Sequence, residues 1–135
     1  VQGIDYSAVS VEKARKVNVG AIAEGRCNVQ QASVAELPFE AEQFDVATAF
    51  ETIYFWPELA QNFREVYRVL KPGGTFFICN EANGETAKDD KWTQIINGMT
   101  IYTDADLKVS LEQAGFGRVQ SHKNKKGWLC VTAQK

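Results

Sequence analysis

The segment 70–74, Leu-Lys-Pro-Gly-Gly, constrains the fold most, because a helical pattern ends at it and an apolar run follows it. Before the segment, Phe63, Val66 and Val69 recur at helical spacing. Its proline cannot continue a helix, since proline lacks an N–H, and its two glycines can adopt positive φ. Residues 75–79 are β-branched, aromatic and apolar, as in a strand buried on both faces. The sequence therefore predicts a helix, a tight turn and an interior strand.

The length and composition favour one globular domain. A chain of 135 residues that is 44% hydrophobic, with a formal net charge of −2, can bury one core. We therefore expect a single domain over residues 1–135. No run approaches about 18 apolar residues, and the first residues lack the pattern of a signal peptide. The expected location is the cytoplasm, and no membrane partner is expected.

Strand-like and helical segments alternate along most of the chain. The expected strands cover residues 1–4, 27–31, 44–50 and 75–79. The expected helices cover residues 8–23, a segment from 57 to 70, 89–98 and a segment from 104 to 115. Two further strands, 117–123 and 127–133, are joined by so short a loop that they must be antiparallel. The pattern predicts an α/β fold, doubly wound, with a mostly parallel sheet that ends in an antiparallel hairpin.

The three cysteines do not form a recognisable metal or redox motif. Cys27, Cys79 and Cys130 are odd in number, far apart and without metal-ligand spacing. Each falls in or beside an expected strand, and free cysteine behaves mainly as a small hydrophobic residue. We expect buried thiols and no metal site.

Five segments, taken in order, carry a family resemblance. They are VQGIDYS at 1–7, AELPF at 35–39, FDV at 44–46, EVYRVLKPGG at 65–74 and LEQAGF at 111–116. With the closing hairpin, they make the chain resemble a class I S-adenosylmethionine-dependent methyltransferase over nearly its whole length. The resemblance implies a Rossmann-like fold, S-adenosylmethionine as cofactor and methyl transfer to a small-molecule acceptor. It is specific for the superfamily and says little about the substrate.

The chain departs from the family pattern at its front. Such enzymes begin with a strand and a glycine-rich loop that brings backbone amides to the methionine end of the cofactor. Gly3, Gly20 and Gly25 do not form such a loop. The resemblance therefore implies that the first βα unit is missing, that this chain is a fragment of the catalytic domain, and that it binds the cofactor poorly.

A missing central strand leaves two sheet edges whose backbone groups need partners. The gap can close within the chain, by pairing residues 1–4 with residues 44–50, or between chains, in a symmetric homodimer. We expect the dimer, because moving the first strand also displaces the helix at 8–23.

Asp5 ends the first strand, and open α/β sheets bind ligands at the carboxyl ends of their strands. Its carboxylate can accept hydrogen bonds from both hydroxyls of a ribose, which is the role that the resemblance implies. The alternative is an acid placed at a helix N-terminus for its dipole. If Asp5 binds the ribose, the ring of Tyr6 lies against the adenine, and packing of this ring in the core is the alternative.

Ser33 and Val34 fall where the resemblance implies contacts with the adenine. The serine hydroxyl can accept a hydrogen bond from the adenine amino group, without the charge that an acidic residue supplies. The Val34 amide lies beside it in the sequence. The alternative is an ordinary loop serine.

The segment 50–56 follows the third strand and should border the crevice in which the methyl group is transferred. We assign Phe50 to the cofactor, and Glu51 and Tyr54 to the acceptor side as catalytic residues. Glu51 can take a proton or bind a cationic substrate, and an aromatic face can attract a sulfonium or ammonium ion. A capping or structural role for Glu51 is the alternative.

Two other interpretations of the chain stay open. It can be an inactive fragment or assembly module that no longer binds the cofactor. It can also be a nicotinamide dehydrogenase, in which an acidic residue placed like Asp5 binds the ribose of the cofactor. This interpretation does not explain the terminal hairpin. The basic cluster at 122–126 is better explained as a solvated hairpin than as a nucleic-acid site, so no nucleic-acid partner is expected. His122 receives no role.

Overall fold

The structure is a computed structural model that describes the backbone of residues 1–135 and all side chains except those at positions 87, 88 and 90. Its contacts divide the chain into two compact units, Val1–Pro38 and Phe39–Lys135. The single domain expected from the sequence stays a prediction. Each unit has its own sheet and is described separately.

The first unit is one β-α-β arrangement. Its elements are β1 (Gln2–Asp5), α1 (Ala8–Val17), α2 (Val19–Ala23) and β2 (Asn28–Gln31). The two strands pair in parallel, with Asp5 opposite Gln31. Val11 of α1 and Val29 of β2 are buried and form the core of this unit together with Leu37.

The helix expected at 8–23 is interrupted at Asn18. The backbone N–H and the side-chain amide of Asn18 both donate to the Ala14 carbonyl, at 3.0 and 2.8 Å. Asparagine commonly ends helices in this way, because its short amide competes for backbone partners. Val17, whose spacing from Val11 and Ala14 predicts a position on the inward face of the expected helix, is instead 77% exposed at the end of α1.

The second unit packs helices on a four-stranded sheet. Its strands are β3 (Phe44–Phe50), β4 (Leu70–Asn80), β5 (Gly117–Lys123) and β6 (Leu129–Gln134). Its helices are α3 (Leu59–Val69), α4 (Ala87–Ile95) and α5 (Asp104–Ala114), with a 3₁₀ turn at Ile53–Phe55. The strand order is β3-β4-β6-β5. The β3–β4 pair is parallel, and β6 runs antiparallel to both β4 and β5. The α/β class and the closing hairpin are confirmed.

The helix α3 ends at Val69, just before the segment 70–74 as expected, but the structure has strand where a tight turn was expected, because β4 already begins at Leu70. Phe44 lies opposite Leu70 and Val46 opposite Thr75, so the extra residues bulge out of the β3–β4 pair. Gly73 has φ +79°, a conformation that favours glycine. At Gly74 a Cβ would lie 2.9 Å from a backbone carbonyl oxygen, so this position has no room for a side chain.

Phe76 of β4 is at the centre of the core of the second unit. Its ring lies 5.5 Å from that of Phe63 in α3 and 5.8 Å from that of Phe116, which follows α5. The ring of Trp56 stacks on it at 6.4 Å. Phe76 is 1% exposed. The aromatic cluster packs α3 and the segment after α5 against β4.

Two of the three cysteines are buried, as expected. Cys79 and Cys130 lie opposite each other in β4 and β6, with 3.5 Å between their sulfur atoms, whereas Cys27 is half-buried. Among the described residues, no group of three or more His, Cys, Asp or Glu side chains could hold a metal ion. No helix in the described part of the chain is long and apolar enough to cross a bilayer.

Candidate active site

Asp5, the last residue of β1, has one carboxylate oxygen engaged and one without a partner. Oδ1 accepts a hydrogen bond from the Ser7 N–H at 2.8 Å. Ser7 in turn caps α1 by accepting from the Ser10 N–H at 3.3 Å. The helix-entry role considered for Asp5 is therefore present, but it uses a single oxygen. Oδ2 has no hydrogen-bond partner among the described residues.

Tyr6 and Ser33 lie at the same end of the first unit as Asp5. The Ala32 N–H donates to the Asp5 carbonyl at 3.1 Å, and the Gln31 amide donates to the Tyr6 carbonyl at 2.9 Å. These bonds hold the residues after β2 beside those after β1. Tyr6 is 70% exposed, so its ring does not belong to the core. The Ser33 hydroxyl accepts from the Ala35 N–H at 3.2 Å, and the neighbouring Val34 is half-buried.

These residues suit the adenosine half of S-adenosylmethionine. The unpartnered Oδ2 of Asp5 can accept from a ribose hydroxyl, and the exposed ring of Tyr6 offers a face for the adenine. The Ser33 hydroxyl and the Val34 amide follow β2. The sequence holds no glycine-rich loop for the methionine end of the cofactor.

In the second unit, Glu51 comes directly after β3 in a strained conformation. Its φ is +55°, in the left-handed region, which costs a non-glycine residue about 1–2 kcal/mol. Its N–H donates to the Cys79 carbonyl at 3.0 Å, so the backbone is held against β4 at this point. Strained residues of this kind cluster at functional sites.

The Glu51 carboxylate and the Tyr54 hydroxyl belong to one hydrogen-bond cluster. The hydroxyl lies 3.4 Å from each carboxylate oxygen and 3.2 Å from the Ala82 carbonyl oxygen, and it accepts from the Ala82 N–H at 3.0 Å. Glu51 Oε1 also accepts from the Glu81 N–H. The cluster therefore ties the segment after β3 to the segment after β4.

Tyr54 is 3% exposed, and its environment keeps its hydroxyl protonated. Burial raises the pKa of Tyr54 well above its usual value, and the charge of Glu51 raises this pKa further. At neutral pH the hydroxyl therefore remains a hydrogen-bond donor to the carboxylate or to the Ala82 carbonyl.

A pocket of about 250 Å³ opens beside this cluster. Its walls are aromatic and apolar side chains together with two carboxylates. The lining residues are Glu51, Tyr54, Phe55, Glu81, Ala82, Trp92, Ile96 and Met99. The pocket lies at the carboxyl ends of the parallel strands β3 and β4, where open α/β sheets bind ligands.

Sequence reasoning missed the wall of the pocket that α4 contributes. Trp92 lies in α4, Ile96 directly follows the helix and donates its N–H to the Trp92 carbonyl at 2.8 Å, and Met99 comes three residues later. The four-residue spacing of Trp92 and Ile96, which is typical of one helix face, was the available signal. Glu81 and Ala82 were also missed, because they follow β4 and approach Glu51 only through the pairing of the two strands.

Of the residues expected after β3, the structure brings Glu51 and Tyr54 together in one pocket and places Phe50 outside it. The Phe50 ring is 56% exposed and packs edge-to-face on Phe77 at 5.5 Å. Phe55 lines the pocket, whereas Trp56 packs in the core against Phe63. The roles assigned to these residues stay predictions.

Comparison with known proteins shows related sequences. A family model described as "Methyltransferase domain" matches residues 1–78. The 24-methylenesterol C-methyltransferase 2 of Arabidopsis thaliana is 32% identical over 73% of this chain and 28% of its own length. The ubiquinone/menaquinone biosynthesis C-methyltransferase of Geotalea daltonii is 36% identical over 58% of this chain and 33% of its own length. This chain spans about a third of the length of these relatives.

Solved structures share the fold. A SAM-dependent methyltransferase of Thermotoga maritima, described as a possible histamine N-methyltransferase, superposes with a TM-score of 0.78 at 20% identity, over 98% of this chain and 72% of its own. A chain of the Haloferax volcanii complex between the Trm112 methyltransferase activator and a methyltransferase superposes with a TM-score of 0.86 at 20% identity. The match covers 98% of this chain and 70% of that chain. Since the family model also matches more than half of the sequence, this chain belongs to the S-adenosylmethionine-dependent methyltransferase family.

Proposed function

We propose that this chain takes part in methyl transfer from S-adenosylmethionine to a small-molecule acceptor. The observation that carries the proposal is the pocket at the ends of β3 and β4, in which Glu51 and Tyr54 are joined in one hydrogen-bond cluster. Membership of the methyltransferase family supplies the reaction class. The location agrees with the general rule for ligand sites in α/β sheets.

Asp5, Tyr6, Ser33, Val34 and Phe50 are the residues proposed to hold the cofactor. Asp5 would accept from the ribose through Oδ2, and Tyr6, Ser33 and Val34 would contact the adenine. Phe50 offers an exposed ring at the end of β3. When bound, S-adenosylmethionine supplies a methyl group on a sulfonium, which is already a good leaving group.

The residues of the pocket then have to position the acceptor and exclude water. Alignment of the reacting groups supplies much of the rate in a displacement of this kind. The Tyr54 hydroxyl and the Glu81 N–H hold the Glu51 carboxylate in one orientation. Glu51 can therefore accept a proton from the acceptor at a fixed position.

The walls of the pocket support an acceptor with an apolar body. Phe55, Trp92, Ile96 and Met99 supply aromatic and aliphatic surface. Relatives named as sterol and quinone C-methyltransferases agree with a small apolar acceptor. We propose an acceptor whose body is apolar, a property that sterols and quinones share.

Tyr54→Phe should lower turnover by up to about tenfold and leave the affinity for S-adenosylhomocysteine unchanged. The substitution removes the hydroxyl that holds Glu51, and one such hydrogen bond contributes about 0.5–1.5 kcal/mol. Turnover is measured as S-adenosylhomocysteine formed with an acceptor found by screening sterols and quinones. Tyr102→Phe is the matched control, because the Tyr102 hydroxyl donates to the Trp56 carbonyl at 3.4 Å and does not line the pocket. Equal turnover in the wild type and Tyr54→Phe would remove Tyr54 from the catalytic set.

A homodimer through sheet edges is also proposed. The end strand β3 carries the exposed side chains of Val46 and Phe50, and unpaired strand edges favour pairing between chains. We expect sedimentation equilibrium to show a dimer that Val46→Lys weakens, because an edge lysine opposes strand pairing. Val109→Lys on α5, where the valine is 52% exposed, is the control. A monomer at every concentration contradicts the proposal.

A further inference from the structure

The pocket beside Glu51 offers hydrogen-bond acceptors and hardly any free donors. The Tyr54 hydroxyl donates to the Glu51 carboxylate or to the Ala82 carbonyl, and the Ala82 N–H already donates to that hydroxyl. The Glu81 N–H donates to Glu51 Oε1. Of the described side-chain donors that line the pocket, the indole N–H of Trp92 alone has no partner. A ligand therefore has to bring its own donors.

The charged side chains that line the pocket also favour a ligand that brings its own hydrogen-bond donors. Glu51 and Glu81 both line it, and the Glu81 carboxylate makes no hydrogen bond or ion pair with any described residue. No lysine, arginine or histidine occurs among the described lining side chains. An anionic ligand group would meet two like charges here, whereas a cationic group would meet two opposite ones.

The remaining walls suit a cation attached to an apolar body. The aromatic rings of Phe55 and Trp92 line the pocket, and such faces attract ammonium groups through their quadrupole. Ile96 and Met99 supply apolar surface for the rest of the ligand. Carboxylates, aromatic faces and apolar walls thus occur together in a cavity of about 250 Å³, which holds a group of several heavy atoms.

We propose that this pocket selects ligands that carry an organic ammonium group on an apolar body. The proposal rests on the proposed function for the identity of the pocket as the acceptor site, and it adds the charge of the acceptor's polar group. Glu51 and Glu81 receive the ammonium group, Phe55 and Trp92 flank it, and the apolar body lies against Ile96 and Met99.

The test compares three probes that share a phenyl body and differ in charge. They are 2-phenylethylamine, 2-phenylethanol and 3-phenylpropionate. Their dissociation constants are measured from amide and indole NMR shifts at Glu51, Ala82 and Trp92, without S-adenosylmethionine. We expect the amine to bind about tenfold more tightly than the carboxylate, with the alcohol between them, since two partly exposed ion pairs give an effect of this size.

Glu51→Gln and Glu81→Gln should each reduce the preference for the amine by about threefold to fivefold. Glutamine keeps the size of each side chain, and Glu81 has no described partner to lose. Glu112→Gln is the matched control, because Glu112 is an exposed acid on α5. The proposal is overturned if the amine does not bind, if the carboxylate binds as tightly, or if the preference survives in the double variant.

The result of the probe titrations does not depend on whether the protein transfers a methyl group. A protein that binds the amine probe selectively but forms no S-adenosylhomocysteine with any acceptor contradicts the proposed function alone. A protein that methylates a neutral sterol or quinone and shows no charge preference among the probes contradicts the ammonium proposal alone.

Discussion

Phe76→Ala should lower the free energy of unfolding of the unit Phe39–Lys135 by about 3–5 kcal/mol, the range for a buried aromatic side chain. The ring is 1% exposed and contacts Trp56, Phe63 and Phe116, so its removal leaves a cavity between β4 and both covering helices. Urea unfolding followed by tryptophan fluorescence measures this, since all three tryptophans lie in this unit.

Phe50→Ala is the matched control for this experiment. Phe50 lies on the neighbouring strand β3, but its ring is 56% exposed. We therefore expect a loss below about 1 kcal/mol, because substitutions of exposed side chains have small effects. Similar losses in the two variants would show that the core is not centred on Phe76.

Asp5→Ala should weaken the binding of S-adenosylhomocysteine by about 1.5–3 kcal/mol, or roughly tenfold to 150-fold. This is the range for hydrogen bonds to a charged group, and Oδ2 of Asp5, at the end of β1, has no hydrogen-bond partner among the residues that the structure describes. The dissociation constant is measured by NMR titration at up to millimolar ligand, because weak binding is expected without a glycine-rich loop.

Alanine at position 5 also removes the hydrogen bond that Oδ1 accepts from the Ser7 N–H. Asp5→Asn separates the two effects, since its amide oxygen can still accept from Ser7 while the charge and the second acceptor are lost. We expect an intermediate loss of affinity for this variant. An unchanged affinity in both variants would exclude Asp5 from the cofactor site.

The parts of the fold with strong local signals could be predicted from the sequence. The proline and glycines of 70–74 do not favour a helix, so α3 ends at Val69, just before them, and the short loop before β6 allows only a hairpin. These features depend on backbone chemistry at a few positions, so they do not need knowledge of distant contacts.

Two other features were not predicted, because they depend on hydrogen bonds that the apolar pattern of the sequence does not reveal. Asn18 breaks a helix whose apolar spacing continues past it, because its amide bonds to the Ala14 carbonyl. The strand β4 begins at Leu70 rather than at Thr75, since pairing with β3 draws the segment before the glycines into the sheet.

The pocket beside Glu51 was predicted only on the side that follows β3. Glu51 and Tyr54 are three residues apart, so their proximity follows from the chain itself. Glu81 and Ala82 join them through the register of two parallel strands, and Trp92 joins them through the position of α4. Such contacts between distant segments appear only once the chain is folded.

We propose that this chain carries the adenosine end of an S-adenosylmethionine site, and intermolecular nuclear Overhauser effects can detect its contacts with a bound ligand. The measurement uses the chain with millimolar S-adenosylhomocysteine and records contacts from the adenine and ribose protons. We predict contacts with the ring of Tyr6 and the side chain of Val34, which are lost in Asp5→Ala. Contacts confined to other parts of the chain, such as the basic hairpin at 122–126, or contacts that persist in Asp5→Ala, would contradict the account.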